Sequence, residues 1–255
     1  MSNRITRLGT GLALTLGVAC SSAKTDRPVV TNTDQGDRST SPSGTAEAKQ
    51  GNSLVRLVNA IPSKNAVDVT GDNHPLFSGV AYKSVTPYHA IRDNVVNFKL
   101  LGPPGKDSVR ADNRETLMDG NRYTIVALPD KDGGARLRIM RDELVPDSGM
   151  ARIRVINAAP DIGEIDVALQ GHKDAIFTGV NYASEAGYKD ITPTTASLDI
   201  RNDAHAKRPG KLNSMHFEAG KAYTIVLTGW GTKGVEAVTF DDTATGNSLS
   251  MSAGH

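Results

Sequence analysis

The residue with the clearest potential for chemistry is Cys20, the only cysteine in the 255-residue chain. It follows a basic start with Arg4 and Arg7 and the apolar run LGTGLALTLGVA at residues 8–19. Such a run has the length of a signal-peptide core and is too short to cross a hydrocarbon layer of about 30 Å. A small residue directly before the cysteine is typical of a site where the thiol is acylated. We therefore predict that residues 1–19 are a signal peptide and that Cys20 is the lipidation site.

The alternative is an ordinary secretory signal with an incidental cysteine. The leucine usually found three residues before a lipidated cysteine is Gly17 here, with Leu16 one place further back. If Cys20 is acylated, two or three chains anchor the protein firmly, because each buried methylene contributes about 0.8 kcal/mol. Ser21 resembles the residue found in lipoproteins that are passed to an outer membrane. These features predict a lipid-anchored protein of a bacterial cell envelope, at the periplasmic or surface face of the outer membrane.

The other reactive side chains do not form a catalytic or metal-binding pattern. No two histidines have the spacing of metal ligands, and no cysteine is available to support them. No G-x-S-x-G motif is present. The six histidines are His74, His89, His172, His205, His216 and His255. We predict no catalytic residue, no metal ligand and no cofactor, and hence a protein that is not an enzyme.

Two short motifs have simpler structural interpretations. The segment GPPGK at residues 102–106 has two residues between its glycines and lacks the Ser or Thr of a phosphate-binding loop, so we interpret it as a turn. Trp230 lies between two glycines, which is typical of a hairpin or loop, although an exposed Trp in such a place can bind a ligand.

Charge argues against one class of partner. With 29 basic and 28 acidic residues, the chain has a formal net charge of +1 and no basic excess to neutralise a run of phosphates. We therefore expect no nucleic-acid partner.

The elements that position these side chains repeat along the chain. Four motifs of the first half recur in the same order in the second half, displaced by 98 to 100 residues. The paired segments are VRLVNAIP (55–62) with IRVINAAP (153–160), VDV (67–69) with IDV (165–167), LFSGVAY (76–82) with IFTGVNY (176–182), and GNRYTIV (120–126) with GKAYTIV (220–226). Tyr88 and Tyr188 also lie 100 residues apart. The chain therefore contains two copies of one unit of about 90 residues.

Within each copy the hydrophobic period is two, and turn residues interrupt the chain every 8–12 residues. The runs at 95–101 and 123–128 predict buried strands. We therefore predict an all-β fold: two tandem immunoglobulin-like antiparallel β-sandwich domains, each with seven or eight strands. Tyr123 and Tyr223 follow a Gly-x-x motif that resembles a tyrosine corner, in which the ring is buried and its hydroxyl bonds the nearby backbone.

Two recurring polar pairs have structural interpretations. Asp68 and Asp166 occur once per copy between apolar neighbours, which indicates a turn-supporting hydrogen bond rather than a catalytic carboxylate pair. Asn59 and Asn157 read as turn residues at strand ends.

These halves resemble the bacterial domain of unknown function 4397. The matching features are the opening strands at 55–62 and 153–160, the later Gly-x-x-Tyr strands, and the acidic ends, Asp142-Glu143 and Asp241-Asp242. One departure is that an acid follows the proline of the opening motif only in the second copy, at Asp161. The resemblance implies an extracytoplasmic sandwich protein, often anchored, without an assigned reaction.

The predicted organisation has five segments. After the signal peptide, residues 20–51 hold the lipidated cysteine and a disordered linker, because they are polar and lack aromatic residues. The sandwich repeats are expected at 52–143 and 150–243, and a flexible tail at 244–255. At about 90 residues each repeat is large enough to fold alone.

Three functions fit this organisation. The favoured one is a membrane-tethered, non-enzymatic binding or structural module of the cell envelope, with an envelope protein or polysaccharide as partner. An enzyme or substrate-capture accessory acting on an envelope polymer is the alternative, and a purely structural spacer is the third.

Overall fold

The computed structural model describes residues 52–102, 109–202, 210–230 and 234–243, without the side chain of Trp230. The described residues form sixteen β-strands, eight in each half, and no helix among them is long and apolar enough to span a membrane. The all-β prediction is confirmed. The predictions for residues 1–51, including Cys20, and for 244–255 lie outside the described residues, as do most of the 102–106 turn and the Trp230 side chain.

The strands follow the repeat. The first half contains β1 Ser53–Asn59, β2 Val67–Gly71, β3 His74–Val80, β4 His89–Ile91, β5 Val95–Leu101, β6 Val109–Thr116, β7 Arg122–Pro129 and β8 Ala135–Arg141. The second half contains β9 Ala151–Asn157, β10 Ile165–Leu169, β11 Phe177–Val180, β12 Glu185–Ile191, β13 Thr194–Arg201, β14 Gly210–Phe217, β15 Ala222–Trp230 and β16 Gly234–Asp241.

Each half is a sandwich of two four-stranded sheets. One sheet of each half faces the other half, and we call it the inner sheet. The inner sheets have the strand orders β4-β1-β7-β8 and β12-β9-β15-β16, and the outer sheets have the orders β3-β2-β5-β6 and β11-β10-β13-β14. Alternation along β5 shows how the sheets pack: Val96, Phe98 and Leu100 are buried, whereas the residues between them face outward. One apolar core fills each sandwich. No described sheet contains strands from both halves.

One strand pair in each inner sheet departs from the predicted antiparallel pattern. β1 pairs with β7 in parallel, and β9 pairs with β15 in the same way. The reason is the path of the chain: it returns from the outer sheet to form β4 antiparallel to β1, crosses the outer sheet again as β5 and β6, and re-enters on the other side of β1 as β7, parallel to it. Parallel pairing needs such a long crossover.

The tyrosine-corner prediction is confirmed in both halves. Tyr123 and Tyr223 are 5% and 7% exposed. Their hydroxyls accept hydrogen bonds from the backbone N–H five residues earlier, at Met118 (2.9 Å) and Glu218 (3.1 Å). Each tyrosine thereby closes the turn that leads into its strand.

The turn interpretations of the recurring Asp and Asn residues are also confirmed. Asp68 accepts a hydrogen bond from the N–H of Gly79 (2.6 Å), and Asp166 from that of Gly179 (2.9 Å). Both glycines have positive φ, so each Asp holds a bend that favours glycine. Buried Asn59 caps its own strand end through the N–H of Ile61 (3.0 Å).

A third apolar cluster joins the two inner sheets, and we call this contact the seam. It contains residues in or directly after β1, β7 and β8 on one side and β9, β15 and β16 on the other: Val58, Ala60, Val126, Leu128, Met140, Ile156, Ala158, Val226, Val238 and Phe240. The seam explains why β1 and β7 are almost continuously buried, since each packs on the sandwich core with one face and on the other half with its opposite face.

Candidate functional site

The most strongly perturbed polar groups of the described residues lie in the seam. Arg56 and Arg154 occupy the same position in β1 and β9, between apolar residues that point into the sandwich core. Their own side chains therefore point away from that core and toward the other half. They are 3% and 0% exposed, which is rare for a charged side chain unless it is paired.

Each arginine is paired with the acid of the other half. Asp142 and Asp242 come directly after β8 and β16, and both carboxylates are shielded from solvent. Arg56 Nη2 donates to Asp242 Oδ1, and Arg154 Nη2 donates to Asp142 Oδ1. Arg56 Nη2 also lies 3.6 Å from Asp142 Oδ2. The two repeats thus exchange ion pairs across the seam, and we call these four residues with their partners the exchange cluster.

Two threonines complete the hydrogen bonding of the exchange cluster. Thr124 Oγ1 accepts from Arg56 Nε (2.9 Å) and donates to Asp142 Oδ1 (2.8 Å). Thr224 Oγ1 accepts from Arg154 Nε (2.7 Å) and donates to Asp242 Oδ2 (2.6 Å).

Two tyrosines close the cluster at its rim. The Tyr88 hydroxyl donates to Asp142 Oδ2 (2.6 Å), and the Tyr188 hydroxyl donates to Asp242 Oδ2 (2.9 Å). Their rings cover the guanidinium groups of Arg56 and Arg154, with each Cζ 4.6 Å from the ring centroid. Cation–π contacts of this kind are strongest where water is excluded.

The pKa shifts follow from this packing. Burial alone would raise the pKa of Asp142, but Arg154 and Arg56 outweigh it and hold the pKa below its ordinary value. Among the described residues only the Arg56 guanidinium lies within 4 Å of Asp242, and burial dominates and raises the pKa of that carboxyl. Burial also raises the pKa values of Tyr88 and Tyr188.

This arrangement stabilises the fold but leaves no opening for a reaction. Its arginines, acids and threonines are buried and bonded to one another. At the edge of the cluster, Glu185 lies 3.6 Å from Arg154 Nη1, and its side chain is 34% exposed. The cluster therefore locks two sandwiches together, and it has neither a free nucleophile nor space for a substrate.

An open groove lies at one edge of the seam. It has a volume of about 540 Å³ and is lined by residues of β6 and β8 together with the turn before β12, among them Ala111, Asp112, Arg136, Arg138, Tyr182 and Ala183. We call it the seam groove. Its size is in the range of small-molecule binding sites.

The histidines of the described residues are not brought together. His74, His89, His172 and His216 are all exposed, and His216 contacts Thr195 through its Nδ1 (2.7 Å). Within the described ranges no group of three or more His, Cys, Asp or Glu side chains could hold a metal ion.

Sequence reasoning missed the exchange cluster, although a signal was present. Arg56 is the only charged residue of β1, and Arg154 takes the equivalent place in β9, each between two buried apolar residues. Asp142 and Asp242, like the threonines and tyrosines of the cluster, recur at an offset of 100 residues. Polar residues that recur at a nearly fixed offset, two of them in almost fully buried strands, indicate an internal contact rather than a solvated surface.

Comparison with known proteins identifies a family for part of the chain. The family model described as Domain of unknown function (DUF4397) matches residues 53–168, from the start of β1 into β10. This confirms the predicted resemblance for those residues. No curated protein matches the chain significantly.

Several solved structures share low similarity with the chain. The C-terminal domain of AlgF from P. aeruginosa is 18% identical, with 36% of this chain and 98% of that chain covered and a TM-score of 0.29. A family 26 carbohydrate-binding module of Eubacterium rectale Amy13K, in complex with maltoheptaose, is 12% identical, with 76% and 97% covered and a TM-score of 0.25. A putative cell adhesion protein from Bacteroides fragilis is 9% identical, with 83% and 94% covered and a TM-score of 0.20.

Proposed function

We propose that this chain, in which residues 53–168 match the DUF4397 family model, is a non-enzymatic binding or structural module of the bacterial cell envelope. In this proposal the protein is a lipoprotein of the outer membrane, tethered through Cys20. Residues 20–51 form a flexible spacer that carries the paired sandwiches away from the membrane. Its partner is an envelope polysaccharide or protein.

The exchange cluster is the observation that carries the non-enzymatic part of the proposal. Enzymes place perturbed acids and bases in accessible clefts, where they meet a substrate. Here the most perturbed groups are sealed between two sheets, and they neutralise one another. Such groups fix the geometry of a body, as expected of a module that binds or supports something else.

A fixed geometry is useful to a binding module because it lowers the cost of association. Side chains that are already ordered lose little entropy when a ligand arrives. The seam groove draws its walls from both halves, so its shape depends on the lock that the exchange cluster provides.

The tether is supported by the sequence alone. An apolar core of twelve residues that ends at a lone cysteine is followed by a polar stretch without aromatic residues. A chain of that composition cannot bury enough apolar surface to fold.

Replacing the anchor residue tests the tether. In the native bacterium, Cys20→Ser should move the protein from the membrane fraction to the soluble fraction, because the acceptor of the acyl chains is lost. Ser21→Ala, one residue away, should leave the protein in the membrane fraction. Membrane association of the Cys20→Ser protein equal to that of the wild type would refute the lipoprotein proposal.

A further inference from the structure

The seam has two edges that the repeat makes equivalent, and one of them is closed by side chains. At the first edge, Tyr82 donates to Glu236 Oε2 (2.7 Å), and Lys83 Nζ lies 2.7 Å from the same oxygen. Tyr82 and Lys83 belong to the first half, whereas Glu236 belongs to β16. These three side chains bridge the two halves at this edge.

The second edge has different residues at the same positions. Ala183 stands where Lys83 stands at the first edge, and Arg136 stands where Glu236 does. Both turn residues have positive φ, 65° at Lys83 and 58° at Ala183, so the backbone is the same and only the side chains differ. Because alanine cannot reach across, the edge stays open as the seam groove.

The walls of the seam groove are held in place by contacts on their far sides. The Tyr182 hydroxyl donates a hydrogen bond to the carbonyl of Pro129 in the other half. Arg136 Nε donates to Asp130 Oδ2 (2.8 Å), and its Cζ lies 5.9 Å from the Tyr182 ring centroid. An aromatic ring and a guanidinium are therefore fixed side by side before any ligand binds.

Arg138 is a charged residue of the groove whose side chain has no hydrogen-bond partner among the described residues. Its exposed side chain makes no hydrogen bond or ion pair within 4 Å to any described residue, whereas its backbone pairs with β7. Its counterpart in the second half is Val238, which is buried in the seam. Arg138 thus offers guanidinium donors into the groove at a point where the other half has only an apolar contact.

The charges around the groove sum to a small net negative charge. Asp112 lines it, Asp130 is bonded to Arg136, and Glu185 interacts electrostatically with Arg138, so two cations face three carboxylates. A site of this kind has no net attraction for an anion. It offers both donors and acceptors, which suits a neutral ligand that is rich in hydroxyl groups.

Strand addition by a peptide is disfavoured at the same place. β8 is the edge strand of its inner sheet, but the carbonyl of Leu137 already accepts a hydrogen bond from Asn113 Nδ2 (3.0 Å). A peptide that docked along β8 would have to displace this bond. Of the large apolar side chains that could anchor a peptide, the lining has Tyr182 and Leu137, and Leu137 is only 5% exposed.

We propose that the seam groove binds a neutral oligosaccharide, the Tyr182 ring and Arg136 forming one wall and Arg138 and Asp112 supplying hydrogen bonds to the sugar hydroxyls. The inference rests on the proposed function, and it names both the ligand class and the site of that module. The groove is open, so a sugar chain can continue beyond it in either direction.

The chain itself supplies the variant that tests the site. Ala183→Lys together with Arg136→Glu copies the closed edge, where Lys83 and Glu236 occupy the same backbone without disturbing the fold. The full chain in detergent micelles is titrated by calorimetry with maltohexaose, cellohexaose and chitin hexasaccharide, and with a galacturonate hexasaccharide as the acidic probe. Ala183→Ser, which adds little volume, is the matched control.

We expect the wild type and Ala183→Ser to bind at least one neutral hexasaccharide, and the double variant to bind it about tenfold more weakly or not at all. The double variant should keep the thermal midpoint of the wild type. Binding of none of the neutral probes, binding of the acidic probe alone, or equal binding by the closed double variant would overturn the proposal. Release of the Cys20→Ser protein from membranes is independent of the groove, so failure of the groove and failure of the tether are distinguishable.

Discussion

Burying Arg56 and Arg154 in the seam carries a large desolvation free energy. Moving a guanidinium from water into a sheet interface costs several kcal/mol, which its partner acid and added hydrogen bonds only offset when the geometry is good. In the exchange cluster, each guanidinium has a carboxylate, a threonine hydroxyl and a tyrosine ring around it. A shift of one half along the other would leave these buried charges without partners, so the exchange cluster fixes the register between the halves.

Removing one arginine should expose this cost directly. Arg154→Met leaves Asp142 buried without its shortest partner, so we expect a loss of about 3–5 kcal/mol in the free energy of unfolding. The measurement is urea denaturation followed by circular dichroism. Arg152→Met, two residues earlier on the same strand, removes a more exposed ion pair with Asp190 and should cost only about 0–1 kcal/mol. Equal costs for the two variants would contradict the role assigned to Arg154.

At the scale of elements, two tyrosine hydroxyls connect the edge strands β4 and β12 of the inner sheets to the exchange cluster. Tyr88 directly precedes β4 and Tyr188 lies in β12, and each donates its hydroxyl to a buried acid. Burial and the nearby carboxylates raise both pKa values above the ordinary value near 10. The folded protein therefore keeps these two protons at pH values where the unfolded chain releases them.

This difference predicts an alkaline loss of stability. Below about pH 10 both states hold the protons and the stability is complete, whereas at higher pH the unfolded state is favoured because it ionises first. The urea midpoint measured from pH 8 to 11 should fall above pH 10. The variant Tyr88→Phe/Tyr188→Phe should start lower and fall less steeply. A parallel decline in both proteins would show that these phenols do not control the effect.

Sequence reasoning predicted the elements better than their contacts. The period-two runs predicted β5 and β7 closely, and the Gly-x-x-Tyr motif predicted both tyrosine corners, because such signals act over a few residues. The parallel pairing of β1 with β7 depends on the path of the chain between them, which no local pattern records. The seam groove could not be predicted, since its walls come from residues of both halves that meet only after the sandwiches dock.

At the scale of the whole molecule, the seam joins the two repeats into one body. The sequence predicts that each half is large enough to fold alone, and each has its own core. The seam adds ten buried apolar residues and the exchanged ion pairs between them. Separating the halves would expose that apolar surface and strip Arg56 and Arg154 of their partner acids, so partial unfolding of one half should destabilise the other.

Calorimetry of the full chain tests this central claim most directly. A single cooperative transition is expected, with a calorimetric enthalpy equal to the van't Hoff enthalpy, because the seam couples the two cores. Two resolved transitions, each with about half of the total enthalpy, would mean that the sandwiches unfold independently, and that the exchange cluster does not lock them together.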